Sequence, residues 1–323
     1  MADWIGHAEL ADFADKRVNL PSTEVKKIRE QVNTLRDRLA DHVAKNPGFA
    51  LVKMVNGGSV AKGTALRKLN DVDVAVYVRK DDAPNDVGDL VLWMTERLRE
   101  AYKGLIDPSQ VQPGTHCATI TFKSTGLQVD VVPVLYEGDP DDRGYLIANG
   151  KGERLLTSVR RHLEFIRKRK NACKPHWAQV VRFVKWWARE QANLDGDFKF
   201  KSFMIELICA HLQDKGLVKF DDYPTALEGV FDYIVQSELN DRIAFTDYYK
   251  LTDLPVETLG AIEVFDPVNP ENNVARVYTD DHRKRIVAAA EAALDAIVEA
   301  SCAVTKAQEV ECWQVVLGNR FQG

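Results

Sequence analysis

The stretch "DVDVAVYV", Asp71 to Val78, narrows the fold more than any other part of this chain. Side chains alternate across a strand, so Val72, Val74, Val76 and Val78 share one face while Asp71 and Asp73 share the other. Two like charges on one face repel, and the strand gains nothing structural from them. A divalent cation resolves the repulsion, because Mg²⁺ takes oxygen ligands from one or two carboxylates and from substrate phosphates. A third acid, Asp130, stands alone among apolar residues in "LQVDVVPVLY", far enough along the chain to arrive on a neighbouring strand. Three carboxylates converging across strands can hold two Mg²⁺ ions, one acidifying an attacking hydroxyl and one gripping a triphosphate. The bland alternative makes Asp71 and Asp73 exposed turn-end residues and Asp130 a sheet-edge charge. It fits each acid singly better than it fits all three together.

Just upstream, "GGSVAKG" gives the acids a companion. Gly57 and Gly58 offer bare backbone N–H groups with no Cβ to block close approach, Ser59 adds a hydroxyl donor, and Lys62 follows within reach. These are the groups a phosphate needs. A glycine pair before a strand is usually only a tight turn; its position ahead of an acid pair gives it meaning.

Apolar spacing places the other elements. Val25, Ile28, Val32, Leu35, Leu39 and Val43 predict a long amphipathic helix from Ser22 to Asn46. Strands follow at 51 to 55 and 72 to 78, then a helix from Asp86 to Tyr102, then "CATITFK" and "LQVDVVPVLY" joined by the turn "STG". Beyond the polar segment 137 to 153, strand patterns give way to helices at 157 to 172, 175 to 193, 202 to 214, 224 to 239 and 280 to 300. An α/β half of residues 1–150, opened by the long helix, is thus followed by a helical half of residues 151–323.

With 323 residues and 45% hydrophobic content the chain can bury sizeable cores, and a net charge of −5 argues against wholesale coating of nucleic acid while leaving room for local basic patches. The five cysteines show no CxxC and no paired histidine, so neither a zinc site nor a disulfide framework is indicated. No run of about 18 apolar residues occurs, and the first residues lack the basic-then-apolar order of a signal peptide. The expectation is a cytoplasmic protein with no membrane partner.

"GGSVAKGTALRKLNDVDVAVYV" resembles the glycine–serine motif and acid pair of the polymerase-β-like nucleotidyltransferases, in particular the oligoadenylate synthetase and cGAS-like group. "LQVDVVPV" resembles that group's third-acid strand, and "QVVRFVKWWARE", "KSFMIELICAHL" and "FDPVNPENNVA" resemble its helical-lobe motifs in the same order. Among bacterial members the chain is most similar to the CD-NTases, the cyclic oligonucleotide synthases of anti-phage defence, and to their clade accompanied by HORMA-domain regulators. The resemblance implies an α+β fold, with a mixed-sheet nucleotidyltransferase lobe, a helical lobe and an active site in the cleft between them. It implies Asp71, Asp73 and Asp130 as catalytic and metal-holding residues, with two Mg²⁺ ions that Mn²⁺ can replace. Nucleotide binding would fall to Gly58, Ser59, Lys62, Arg182, Lys185, Ser202 and Phe203: Ser59 on the triphosphate, Arg182 and Lys185 on phosphates, Ser202 on a phosphate or ribose, Phe203 on the base.

The implied reaction is repeated nucleotidyl transfer with ring closure, giving a second messenger from NTPs; the clade favours ATP and cyclic tri-adenylate. A linear or RNA-tailing nucleotidyltransferase stays open, since all such enzymes share the acid triad. A catalytically idle nucleic-acid-binding relative is a further alternative, opposed by three mutually repelling carboxylates that an idle site has no reason to keep. No His/Cys spacing matches the zinc insertion of animal cGAS enzymes, so control is expected from a HORMA-domain partner, with duplex DNA as an activator. Arg167, Lys168, Arg169 and Lys170, within "RRHLEFIRKRKNACK", are the candidate DNA contacts, against the alternative of a solvated helix face.

Overall fold

The computed structural model describes residues 4–46, 51–67 and 71–323, and of Asp71 the backbone alone. In chain order the elements are α1 (His7–Phe13), continued by a π-helical turn at Ala14–Val18, α2 (Ser22–Lys45), β1 (Leu51–Asn56), α3 (Gly58–Lys62), β2 (Asp71–Arg79), α4 (Leu90–Ala101), β3 (Val111–Pro113), β4 (Ala118–Phe122), β5 (Leu127–Tyr136), β6 (Gly144–Ile147) and β7 (Arg154–Thr157). Then come α5 (Val159–Ala172), α6 (His176–Leu194), α7 (Ser202–Asp214), α8 (Tyr223–Ser237), β8 (Arg242–Ile243), β9 (Glu263–Val264), α9 (Asp280–Ser301) and α10 (Lys306–Leu317). No helix among the described residues is long and apolar enough to cross a membrane.

Two compact units result, Leu20–Glu164 and Met1–Asn19 with Phe165–Gly323. The expected division at residue 150 differs from this in two ways. The sheet continues past 150 because β6, inside the polar segment, pairs antiparallel with β7 just beyond it, and the Val159 N–H donates to the Tyr77 hydroxyl at 3.3 Å. The first residues group with the helices because the Trp4 and Ile5 N–H groups donate to the buried Glu309 carboxylate at 3.1 and 3.0 Å, and because the Phe13 ring stands edge-on to Trp186 and Phe321.

In the sheet unit the strand order is β1-β2-β5-β4-β3, with β6 joined to β5 and β7 to β6. Among the described residues β2–β5 is the one parallel pairing of this sheet, which is therefore mixed. One edge of β5 pairs with β2 from Gln128 to Tyr136; the other pairs with β4 up to Val131 and with β6 from Val134. Pro133, with no N–H to give a ladder, sits at the changeover. Val72, Val74, Val76 and Val78 pack with Ile28, Val32, Leu35 and Leu39 of α2 and Leu90, Met94 and Leu98 of α4 into one core. The apolar spacing of α2 and the alternation of β2 thus meet on the same side of the sheet. The opposite face carries Ala75, Tyr77 and Val134 as a smaller cluster, and toward the start of β2 it carries Asp73.

In the helical unit α6 is the central element: Trp177, Val180, Val181, Phe183, Val184, Trp186 and Trp187 are all buried. The Trp186 indole N–H reaches the Leu317 carbonyl at 2.8 Å, tying α6 to the end of α10.

Candidate active site

Asp73 of β2 lies directly opposite Asp130 of the parallel strand β5. Paired positions project to one face, here the face away from α2 and α4, since the alternate residues Val72, Val74, Val129 and Val131 belong to the other core. Both carboxyl groups are partly buried. Asp71 pairs through its backbone with Gln128, two places earlier in the same register; its side chain lies outside the described residues.

The glycine turn is built onto this pair. The Gly57 N–H donates to the Asp73 carbonyl at 2.8 Å. Gly58 has φ +65°, and a Cβ there would stand 1.9 Å from Asp73 Oδ2, so two separate constraints exclude a side chain. Gly57 to Lys62 is more than the tight turn its sequence suggests, since Gly58–Lys62 closes a helical turn, α3, ended by Gly63 at φ 75° in the left-handed region. Ser59 and Lys62 both lie on α3 and are partly buried.

A third strand supplies groups that the motif reading missed. Thr119 of β4 pairs with Asp130, and its hydroxyl donates to Asp130 Oδ1 at 2.5 Å. Cys117 Sγ lies 3.7 Å from the same hydroxyl oxygen. Burial, with the nearby charges of Asp130 and Asp73, pushes the Cys117 thiol up to about 11. The signal for Thr119 was present in the sequence: Phe122 pairs with Leu127 across the turn, and counting outward from there brings Thr119 opposite Asp130.

Among the described residues no group of three or more His, Cys, Asp and Glu side chains suited to a metal is found. Two adjacent carboxylates still fit Mg²⁺, which is bound through one or two carboxylates and completes its shell with water and phosphate oxygens.

In the helical unit the expected residues separate. Ser202 opens α7 exposed, Phe203 follows partly buried, and the helix's buried residues begin only at Met204. Arg182 and Lys185 do not present two cations together. Arg182 donates from Nε to Asn19 Oδ1 at 2.8 Å and from Nη2 to Gln179 Oε1 at 2.6 Å, and burial lowers its guanidinium from the usual value. Lys185 is buried and donates to Glu206 Oε1 at 2.6 Å. A buried ammonium needs a partner, and a phosphate contact by Lys185 would require this pair to open.

The basic run is likewise not one face. Arg169 turns inward, 3% exposed, to bind Asp247 at 2.7 Å and Asp214 at 2.5 Å, with its guanidinium 3.6 Å from the Phe165 ring centroid. It is a structural ion pair, and the expectation that it contacts DNA is corrected. Arg167 and Lys168 are exposed, Lys168 pairing with Asp247 at 2.9 Å. Lys170 is partly buried, its amine pulled down by burial and then by Arg182, Lys174 and Arg167.

Comparison with known proteins accounts for this arrangement. Residues 6–169 match the family described as Second Messenger Oligonucleotide or Dinucleotide Synthetase domain. The cyclic AMP-AMP-AMP synthase of Escherichia coli strain MS 115-1 is 46% identical over 323 residues, covering 99% of this chain and 98% of that protein. The structure of the E. coli MS115-1 CdnC:HORMA-deltaN complex matches with a TM-score of 0.90 at 46% identity, and that of E. coli MS115-1 CdnC with ATP with a TM-score of 0.91 at 46% identity, each over 99% of both chains. A family match across half the chain and a full-length relative at this identity agree with the acid pair and its glycine turn: the chain belongs to the second messenger oligonucleotide or dinucleotide synthetases, and it is a nucleotidyltransferase.

Proposed function

We propose that this enzyme joins three ATP molecules into cyclic tri-adenylate, a second messenger of anti-phage defence, as a cytoplasmic enzyme. In each step a ribose hydroxyl attacks an α-phosphate and expels pyrophosphate, and the third transfer closes the ring. Two Mg²⁺ ions held by Asp71, Asp73 and Asp130 would lower the hydroxyl's pKa and neutralise triphosphate charge. The chain's own groups do the rest. Asp130 receives the hydroxyl proton, Gly58 and Ser59 hold the triphosphate through backbone N–H and hydroxyl donors, and Lys62 adds charge. Phe203 stacks on a base beside Ser202, with Arg182 contributing to phosphate binding.

The observation that carries this reading is the Asp73–Asp130 pairing with Gly58 packed so closely on Asp73 that a Cβ has no room. The product assignment is supported by the cyclic AMP-AMP-AMP synthase likeness, and ATP by the related structure containing it. A HORMA-domain partner is supported by the related complex. Stimulation by duplex DNA through Arg167 and Lys168 is supported by their exposure alone.

The test is incubation of the purified chain with all four NTPs and Mg²⁺, with and without a HORMA-domain protein and duplex DNA, followed by mass analysis of phosphatase-resistant products. A cyclic trimer of adenylate is expected. Products that phosphatase trims would make the enzyme a linear polymerising transferase instead.

A further inference from the structure

We propose that Thr119 is a positioning residue that aims the Asp130 carboxylate at metal, a role that rests on the metal-binding reading of the acid pair. Thr119, Asp130 and Asp73 form one row across the adjacent strands β4, β5 and β2. Paired residues share a face, so the threonine hydroxyl lies on the acid face and not in the core beneath. Its 2.5 Å bond to Asp130 Oδ1 falls in the range of about 2.5–2.7 Å expected when a hydroxyl donates to a charged carboxylate.

A hydroxyl has one proton. With that proton given to Asp130, the Thr119 oxygen can only accept from Cys117, whose sulfur is 3.7 Å away. The Thr119 hydroxyl therefore points at Asp130 Oδ1, and Cys117 lies beside its oxygen. Oδ1 is thus held and the carboxylate plane set. The support is rigid, because threonine is stiff about χ1 and its strand neighbours Ala118 and Ile120 are fully buried. Ligating carboxylates elsewhere depend on such outer hydrogen bonds.

The experiment is a Mn²⁺ titration of the full chain with a non-reacting ATP analogue, read by electron paramagnetic resonance, with thermal melting alongside. Thr119→Val removes the donor at nearly constant shape and should weaken Mn²⁺ binding about 10- to 100-fold, the usual loss for such partners. Thr119→Ser should restore it, which a purely steric role would not do. Asp130→Ala serves as the reference that loses binding outright. If Thr119→Val melts early, Thr119→Ala at a temperature where it is folded takes its place.

Wild-type Mn²⁺ affinity in the valine variant, or no recovery in the serine variant, overturns the role of Thr119 while Asp130→Ala still reports a metal site. Wild-type affinity in Asp130→Ala overturns the metal reading and this proposal with it.

Discussion

Phe203 occupies the second position of α7, partly buried, where the helix has not yet entered its core. An aromatic face at that depth is suited to a base, since stacking needs a flat apolar surface and no sequence match. Phe203→Ala should weaken nucleotide binding by about 1–3 kcal/mol, measured by calorimetry with a non-reacting ATP analogue, while Phe203→Tyr should bind as the wild type does. An alanine variant that melts early with unchanged affinity would make Phe203 a packing residue. At this scale the placement of Asp73 and Asp130 on neighbouring strands, with Gly58 in the turn ahead, was legible, because strand alternation and a glycine pair are local signals. The ion pairs of Lys185 and Arg169 were not legible. Their partners, Glu206, Asp214 and Asp247, come from other parts of the chain, and a cation on a helix carries no local mark that its partner is buried with it.

Among the elements, α3 is the one whose role depends most on a single residue. Gly58→Ala forces a side chain into the left-handed region at a cost of about 1–2 kcal/mol and drives its Cβ into the Asp73 carboxylate. Turnover should fall far more than the melting temperature does; a variant with wild-type activity would mean that Asp73 need not stay where it is. The long helices and the main strands followed from apolar spacing, and α7 coincides with its expected span. Some pieces were not legible. β6 lies in a polar, glycine-rich segment and is held by pairing with β5 and β7 and not by its own pattern, and α1 and α10 owe their places to Glu309 and Phe13 contacts made at long range. The α5 ion cluster gives an acid-sensitive element. Burial raises the Asp247 carboxyl, but hydrogen bonds from Arg169 and Lys168 outweigh it and hold the group below its usual value. A depressed native pKa contributes stability that is present above the unfolded value, about 3.9, and is lost as pH falls through the native value. Chemical denaturation from pH 7 downward should show that loss below about pH 4, and Asp247→Asn should shrink it. An unchanged acid limb in that variant would assign the loss to other carboxylates.

For the whole molecule, the central claim is that the acid pair and its glycine turn drive three successive transfers that end in a ring. The number of pyrophosphates released per trimer separates ring from chain. Closing a trimer releases a third pyrophosphate and leaves no terminal phosphate, whereas a linear trimer releases two and keeps its triphosphate. The decisive measurement is therefore pyrophosphate and adenylate product quantified together, with ATP, Mg²⁺ and a HORMA-domain partner present. Asp73→Asn and Asp130→Asn, which keep shape and lose charge, run in parallel. The wild type should release one pyrophosphate for every adenylate incorporated, and both asparagine variants should lose activity by at least about 10²- to 10³-fold, the scale set by removing one electrostatic group from an active site. Two pyrophosphates for every three adenylates, or near-normal turnover in either variant, would contradict it.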